Sequence, residues 1–448
     1  MTKSAGRSNP PGLSTSAPVG RRGRGPAVAG KARTGRSGPS REGRVDMKHT
    51  ITLAAATALT LFAGSAMAAD GNESFIDQNG TSNSASITQS GSNNDAGSTT
   101  QHIVQQDFRN QLTILQSGSN NSIGLAANAN GGTGGVYQQN NRADDDANKL
   151  TITQSSNGNT IGAVSQTTNV NTHLGGNTAN ISQGGSGSNT IGSLRQMRGS
   201  SSSGNNAQIT QTGSQNTIAR IFQRSNQGNN KTNQLTVNMS GANNGNAAAL
   251  AGAASVSGAQ SSTFIQGDLS AVARNSYINL TVSGSNNEFG ITQYGESNSV
   301  GNVTISGDGN QLGVYQSGST NTVALSTISG LSNNIGIRQT GTDNSAMVNI
   351  TGDFNGGGMP AGVAGTLASA NGLVGGLIKQ DGLRNDASLT ITNSNDNQAA
   401  YLQDGNDNTI VGSISGVGDN SATVVQLGDS NMANFTQIGG SNIVAISQ

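Results

Sequence analysis

The side chains that could carry out acid–base or metal chemistry in this chain are few and scattered. Histidine occurs only at His49, His102 and His173, and cysteine does not occur at all. A catalytic base or metal ligand needs partners, yet none of these histidines stands in a recurrent cluster with acids. They read as signal, surface or turn residues. Asp144-Asp145-Asp146 could hold a hard cation, but it has no second acidic cluster and reads as a solvated loop. The calcium-roll signature Gly-Gly-x-Gly-x-Asp is approached at Gly184-Gly185-Ser186-Gly187-Ser188-Asn189, which ends in an amide instead of an acid. We expect no enzyme activity, no metal and no cofactor.

What does recur is the amide group. The string Gln-x-Gly-x-x-Asn begins at Gln78, Gln89, Gln116, Gln211, Gln293, Gln316, Gln339, Gln380, Gln403, Gln426 and Gln437, with degenerate copies at Gln154 and Gln183. Gln293, Gln316 and Gln339 are 23 residues apart. Between them Ser283-Gly284, Ser306-Gly307 and Ser329-Gly330 repeat at the same interval. A primary amide both donates and accepts, so a glutamine stacked on a copy of itself satisfies both. Catalysis has no use for such a series. Hydrogen bonding between copies does.

The elements that could present such a series follow from the alternation around it. Asn431, Ala433, Phe435 and Gln437 share one parity, and Asn442, Val444, Ile446 and Gln448 share the next. Period two means strands with one face of amides and apolar groups. Gly80, Gly295, Gly318, Gly341 and Gly428 supply the tight turns, because glycine accepts positive φ. Gly, Ser, Thr, Asn and β-branched residues make poor helices. One strand–turn–strand unit cannot bury its apolar stripe alone; stacked copies can. The fold class expected is all-β. It is a parallel β-solenoid of two-strand, 22–23-residue coils, with two sheets face to face in an amyloid-like stack. Inward Gln and Asn, among them Asn83, Asn298, Asn321, Asn344, Asn431 and Asn442, should form amide ladders. Turn aspartates such as Asp308, Asp343, Asp404 and Asp429 either solvate loops or repel stacked copies as gatekeepers.

The 448 residues include 65 glycines, 3% aromatic and 10% charged residues, too little apolar matter for an ordinary core of this length. Residues 1–46 form a basic low-complexity extension, which we read as lying ahead of the true translation start and not as a nucleic-acid arm. Residues 47–68 have the basic start, apolar Ile51–Ala63 run and Ala66-Met67-Ala68 site of a secretory signal peptide, with cleavage near Ala68. Beyond it the basic and acidic counts are 12 and 21, a net charge of 12 − 21 = −9, which removes the basis for nucleic-acid binding. The apolar run is too short for a permanent membrane span, so the protein is not integral to a membrane. Residues 69–448 carry the solenoid, with a disordered N-terminus before it. Inserts near 124–147, 241–262 and 352–377 read as loops extruded from the scaffold, or else as linkers.

The pattern Gln-x-Gly-x-x-Asn-x-Ala-x-x-x-Gln, met without departure from Gln78 to Gln89 and from Gln426 to Gln437, resembles the repeat of the curlin family, subunits of curli amyloid fibres. The resemblance implies a secreted structural subunit that polymerises with itself, head to tail, for adhesion and biofilm matrix on a Gram-negative surface. It further implies a nucleator or sister subunit and an outer-membrane secretion pore as partners. The family's Gly/Asn-rich pore-addressing segment is missing here, since only Ala69–Ser74 precede the first repeat. Uncapped edge strands at both ends of the repeat fit polymerisation. The rival expectation is a monomeric solenoid adhesin or ice-binding protein, although Thr151/Thr153 and Thr390/Thr392 do not recur coil after coil as an ice face would.

Overall fold

The computed structural model describes residues 71–126, 135–143, 146–168, 175–199, 204–225, 232–267, 273–324 and 326–448. The expectations for residues 1–46, the signal peptide at 47–68, His173, Asp144 and Asp145 fall outside these. Short β-strands dominate, and they assemble into two sheets in which the paired strands run parallel.

The chain alternates between the sheets. Glu288–Glu296 lies in the first, Ser299–Asp308 in the second, Gln311–Ser319 in the first again, and so on. Gln293 pairs with Gln316, and Gln316 with Gln339, so the 23-residue sequence period is one full coil. Apolar residues of like size fall above one another. In the second sheet Ile114, Ile152, Ile181, Ile209 and Val237 form one inward column. All are essentially inaccessible to solvent. Each such side chain contributes about 1.5–3 kcal/mol when fully buried. A coil with two or three of them cannot hold alone, and the stack forms one continuous core.

Two of the inserts, where the sequence pattern predicts loops or linkers, carry helices. Helix α1, Gly252–Val256, rests on the outer face of the first sheet. There Ala254 N–H donates to Asn334 Oδ1 (3.0 Å) and Ala251 N–H to Gln311 Oε1 (2.8 Å). Helix α2, Gly362–Ala370, lies over the last strands of that sheet, with Ala361 N–H donating to Ser421 Oγ at 2.9 Å. A second, smaller apolar cluster of Ala253, Ala368, Leu373, Leu377, Ala400, Leu402 and Val425 sits beneath them. The physical reason is alanine, the best helix former, in Ala247–Ala254 and Ala361–Ala370. Among the described residues no helix is long and apolar enough to cross a membrane.

Candidate functional site: the amide columns between coils

The faces that coils present to one another are organised by four columns of amides. In the first sheet Gln78, Gln105, Gln138, Gln166, Gln196, Gln223, Gln266, Gln293, Gln316, Gln339, Gln380, Gln403, Gln426 and Gln448 form one run. Each Nε2 donates to the next Oε1 at 2.5–3.2 Å. The remaining N–H binds backbone, as Gln316 does to Ser299 O (3.0 Å) and Asn321 O (2.9 Å). Those bonds tie the strand to the arc that follows it. An interior rung such as Gln316 is wholly buried and has its donors and its acceptor engaged, which removes the cost of burying an amide.

The second sheet starts the same way and then changes. Gln89, Gln116, Gln154, Gln183 and Gln211 are joined at 2.8–2.9 Å. The next position is Met239, whose sulfur lies 4.0 Å from Gln211 Nε2. Val282, Ile305, Ile328, Ile350, Ile391 and Ile414 then continue the column as aliphatic rungs. Gln437 comes after Ile414, so it has no glutamine neighbour. It donates to Ser421 O and Asn442 O, and its buried Oε1 has no partner among the described residues. Gln211 therefore ends a ladder, and Gln437 stands apart from one.

Asparagine columns mark the two arcs. Asn72, Asn94, Asn121, Asn159, Asn189, Asn216, Asn244, Asn287, Asn310, Asn333, Asn355, Asn397, Asn420 and Asn442 form an unbroken series. In it each backbone N–H donates to the Oδ1 of the asparagine one coil earlier. The other arc holds Asn83, Asn110, Asn148, Asn177, Asn205 and Asn233, then Ser276, then Asn298, Asn321, Asn344, Asn385, Asn408 and Asn431. Asn321 illustrates the reach of one rung. Its N–H and Nδ2 both donate to Asn298 Oδ1 at 3.1 Å, and Nδ2 also reaches Gly341 O at 3.0 Å, so three coils meet at one side chain. From rung to rung the asparagines donate toward the start of the chain and the glutamines toward its end, so the rung-to-rung bonds of the two kinds of column run in opposite directions.

Close stacking of the arcs explains the glycines. Gly295, Gly318 and Gly341 sit at φ +101°, +116° and +114°, and a Cβ on Gly318 would strike the Gly341 carbonyl. Gly80 is stacked on Asp107, a non-glycine residue at φ 68°, while Gly428 has open space beside it. Two turn aspartates do something that neither sequence reading offered. Asp308 Oδ1 accepts from Ser285 N–H (2.7 Å) and Asp429 Oδ1 from Asn406 N–H (2.8 Å), capping backbone one coil away.

Gln105, Gln138, Gln166, Gln196, Gln223 and Gln266 lack the Gln-x-Gly-x-x-Asn string because the arc after them is altered. Gln138 to Asn148, Gln166 to Asn177 and Gln223 to Asn233 span 10 or 11 residues where Gln316 to Asn321 spans 5. The signal that identifies them is an apolar residue two places earlier: Ile103, Val136, Val164, Leu194, Ile221 and Phe264. His102 lies on the first coils with Nδ1 2.6 Å from Asp77 Oδ2. Among the described residues no three His, Asp or Glu side chains are grouped so as to hold a metal ion.

Residues 69–97 match the family model described as the curlin associated repeat, so the chain carries a curlin repeat, a repeat of structural fibre subunits and not of enzymes. The match covers the first amide rungs, from Asn72 to Asn94. No curated protein matches the chain.

Proposed function

We propose that this protein is a secreted structural subunit that self-assembles, head to tail, into curli-like amyloid fibres serving adhesion and biofilm matrix on a Gram-negative cell surface. The observation that carries the reading is the sameness of the coil interface. One coil meets the next through the same amide donors and acceptors level after level, as at Gln293–Gln316–Gln339 and Asn287–Asn310–Asn333. A coil at an open edge is therefore complementary to a coil of another copy, and joining copies repeats a contact the chain already makes within itself. The curlin repeat at 69–97 supports the same reading.

Export by the signal peptide at 47–68, passage through an outer-membrane pore and seeding by a nucleator or sister subunit complete the proposal. The first strands beyond it hold Gln78 and Gln89 with only half-buried side chains, a natural surface for the end of another copy. The test is to dilute the chain from Ala69 onward out of denaturant. Thioflavin fluorescence should rise with a lag shortened by preformed fibres, and aligned fibres should diffract at the ~4.8 Å strand spacing. A chain that sediments as a folded monomer for weeks would sink the proposal.

A further inference from the structure

The outer face of the first sheet carries a cationic cluster that the stacking does not use. Leu194 and Ile221 point into the core, which sends Arg195, Arg220 and Phe222 outward from adjacent coils. Arg195 stands opposite Phe222 in register, and Arg220 is on the same strand and face as Phe222. Both guanidinium carbons approach the Phe222 ring, at 5.6 Å for Arg195 and 5.2 Å for Arg220. Stacking on a ring satisfies the face of a guanidinium and leaves its N–H edge unspent.

Those edge donors are what point to a ligand. Arg195 is only 9% exposed, yet its Nε and Nη1 are buried without a hydrogen-bond partner among the described residues, and so is Nε of Arg220. Among the described residues no carboxylate offsets Arg195. Burial and the neighbouring charges of Arg220 and Arg224 all push its proton affinity down. An unpaired buried guanidinium is strongly disfavoured, and two on adjacent coils also repel. An anion between them removes both penalties and takes up the free donors, the arrangement for which arginine is best suited.

We propose that Arg195 and Arg220, set about Phe222, form a binding site for a single oxyanion, a sulfate, phosphate or carboxylate group, on the side of the stack. The site is independent of fibre formation, because its residues lie on the outer face of one sheet and not on a coil edge.

Equilibrium dialysis of the full chain against labelled sulfate, with labelled acetate as a second probe, tests it at low ionic strength. Saturable uptake of about one anion per chain is expected, with affinity falling at least tenfold in Arg195→Gln and in Arg220→Gln. Arg338→Gln removes a guanidinium stacked on Tyr315 elsewhere on the same face and should leave uptake unchanged. Absence of saturable uptake of both probes by the unaltered chain overturns the site without any variant having to fold. Uptake that survives both substitutions, or that falls equally in Arg338→Gln, also overturns it.

Discussion

The hydroxyl of Tyr401 occupies the space that a Cβ on Gly412 would fill. Tyr401 belongs to the first sheet and Gly412 to the second, so a bulky side chain on one inner face is matched by none on the other. The Phe435 ring, edge-on to Tyr401 with centroids 6.0 Å apart, closes the same space from the next coil. Elsewhere the Gly412 column holds Leu280, Val303, Ser326, Val348 and Leu389. Tyr401 thus fills by reach across the core what its neighbours fill locally, at the cost of a buried hydroxyl with no partner among the described residues.

Gly412→Ala should therefore destabilise the protein by about 1–3 kcal/mol through overpacking, read as a lower denaturant midpoint. Tyr401→Phe removes the orphan hydroxyl and should stabilise by up to about 1 kcal/mol. In the Tyr401→Phe background the cost of Gly412→Ala should fall in part, since the nearest clashing atom is gone while the Phe435 ring remains. Equal costs in both backgrounds would mean that the two residues do not compete for one space.

Gln316 tests the glutamine column. Gln316→Leu leaves one N–H of Gln293 Nε2 and the Gln339 Oε1 without the partners now bonded to them at 2.9 and 2.8 Å, Gln293 Nε2 keeping its bond to Tyr277 O. Each buried orphan costs about 1–3 kcal/mol, so a loss above about 2 kcal/mol is expected. Ile328 occupies the corresponding position of the second sheet between Ile305 and Ile350, and Ile328→Leu should cost less than about 1.5 kcal/mol. Similar losses in the two variants would show that hydrogen bonding adds nothing to packing there.

The coil and the two-sheet stack were legible because a residue set repeated every 23 positions leaves few other ways to bury its apolar stripe. The columns were legible only where the arc was tight. Gln316 announces itself through Gly318 and Asn321, whereas Gln166 is followed by a wide arc to Asn177 and keeps only the inward Val164 as a marker. Which sheet a glutamine joins could not be read from the motif, because Gln211 and Gln293 share the same string. Their difference lies in the neighbour one coil on, Met239 against Gln316. The two helices were missed for another reason: their alanines carry no period that registers with the coil. The Arg195–Phe222–Arg220 cluster needed coordinates, since it joins residues on different coils.

The first coils should respond to pH through His102. Its hydrogen bond to Asp77 raises the imidazole's proton affinity above the ordinary value of 6.5, with burial opposing. A group whose folded pKa is raised adds stability that is complete below the unfolded pKa and is lost as pH climbs through the folded one. Both side chains are more than a third exposed, so the effect is local and small. Titration of His102 followed by NMR should give a midpoint above that in Asp77→Asn. Opening of the Ile103 N–H to Phe75 O bond, read by hydrogen exchange corrected for intrinsic rate, should increase above the His102 midpoint. A midpoint unmoved by Asp77→Asn would show that the pair does not form.

Ser276 is the gap in an asparagine column, and filling it should strengthen the stack. Its backbone N–H donates to Asn233 Oδ1 (3.2 Å), as an asparagine there would, but its buried hydroxyl has no partner among the described residues. Neighbouring rungs show what is missing. Asn321 adds a side-chain bond to the preceding Asn298 and offers its own Oδ1 to Asn344 N–H and Nδ2. In Ser276→Asn the new Nδ2 can reach Asn233 Oδ1, and the new Oδ1 can accept from Asn298, whose Nδ2 now bonds to Tyr294 O and Gly318 O. At about 0.5–1.5 kcal/mol for each net hydrogen bond, less the cost of ordering a larger side chain, a gain of about 1 kcal/mol is expected in the denaturant midpoint. The complementary change, Asn310→Ser in the unbroken column, should lower stability by at least as much. If Ser276→Asn is destabilising, the arc at this coil is set by the backbone of its own loop, and the asparagine rung follows the arc without shaping it.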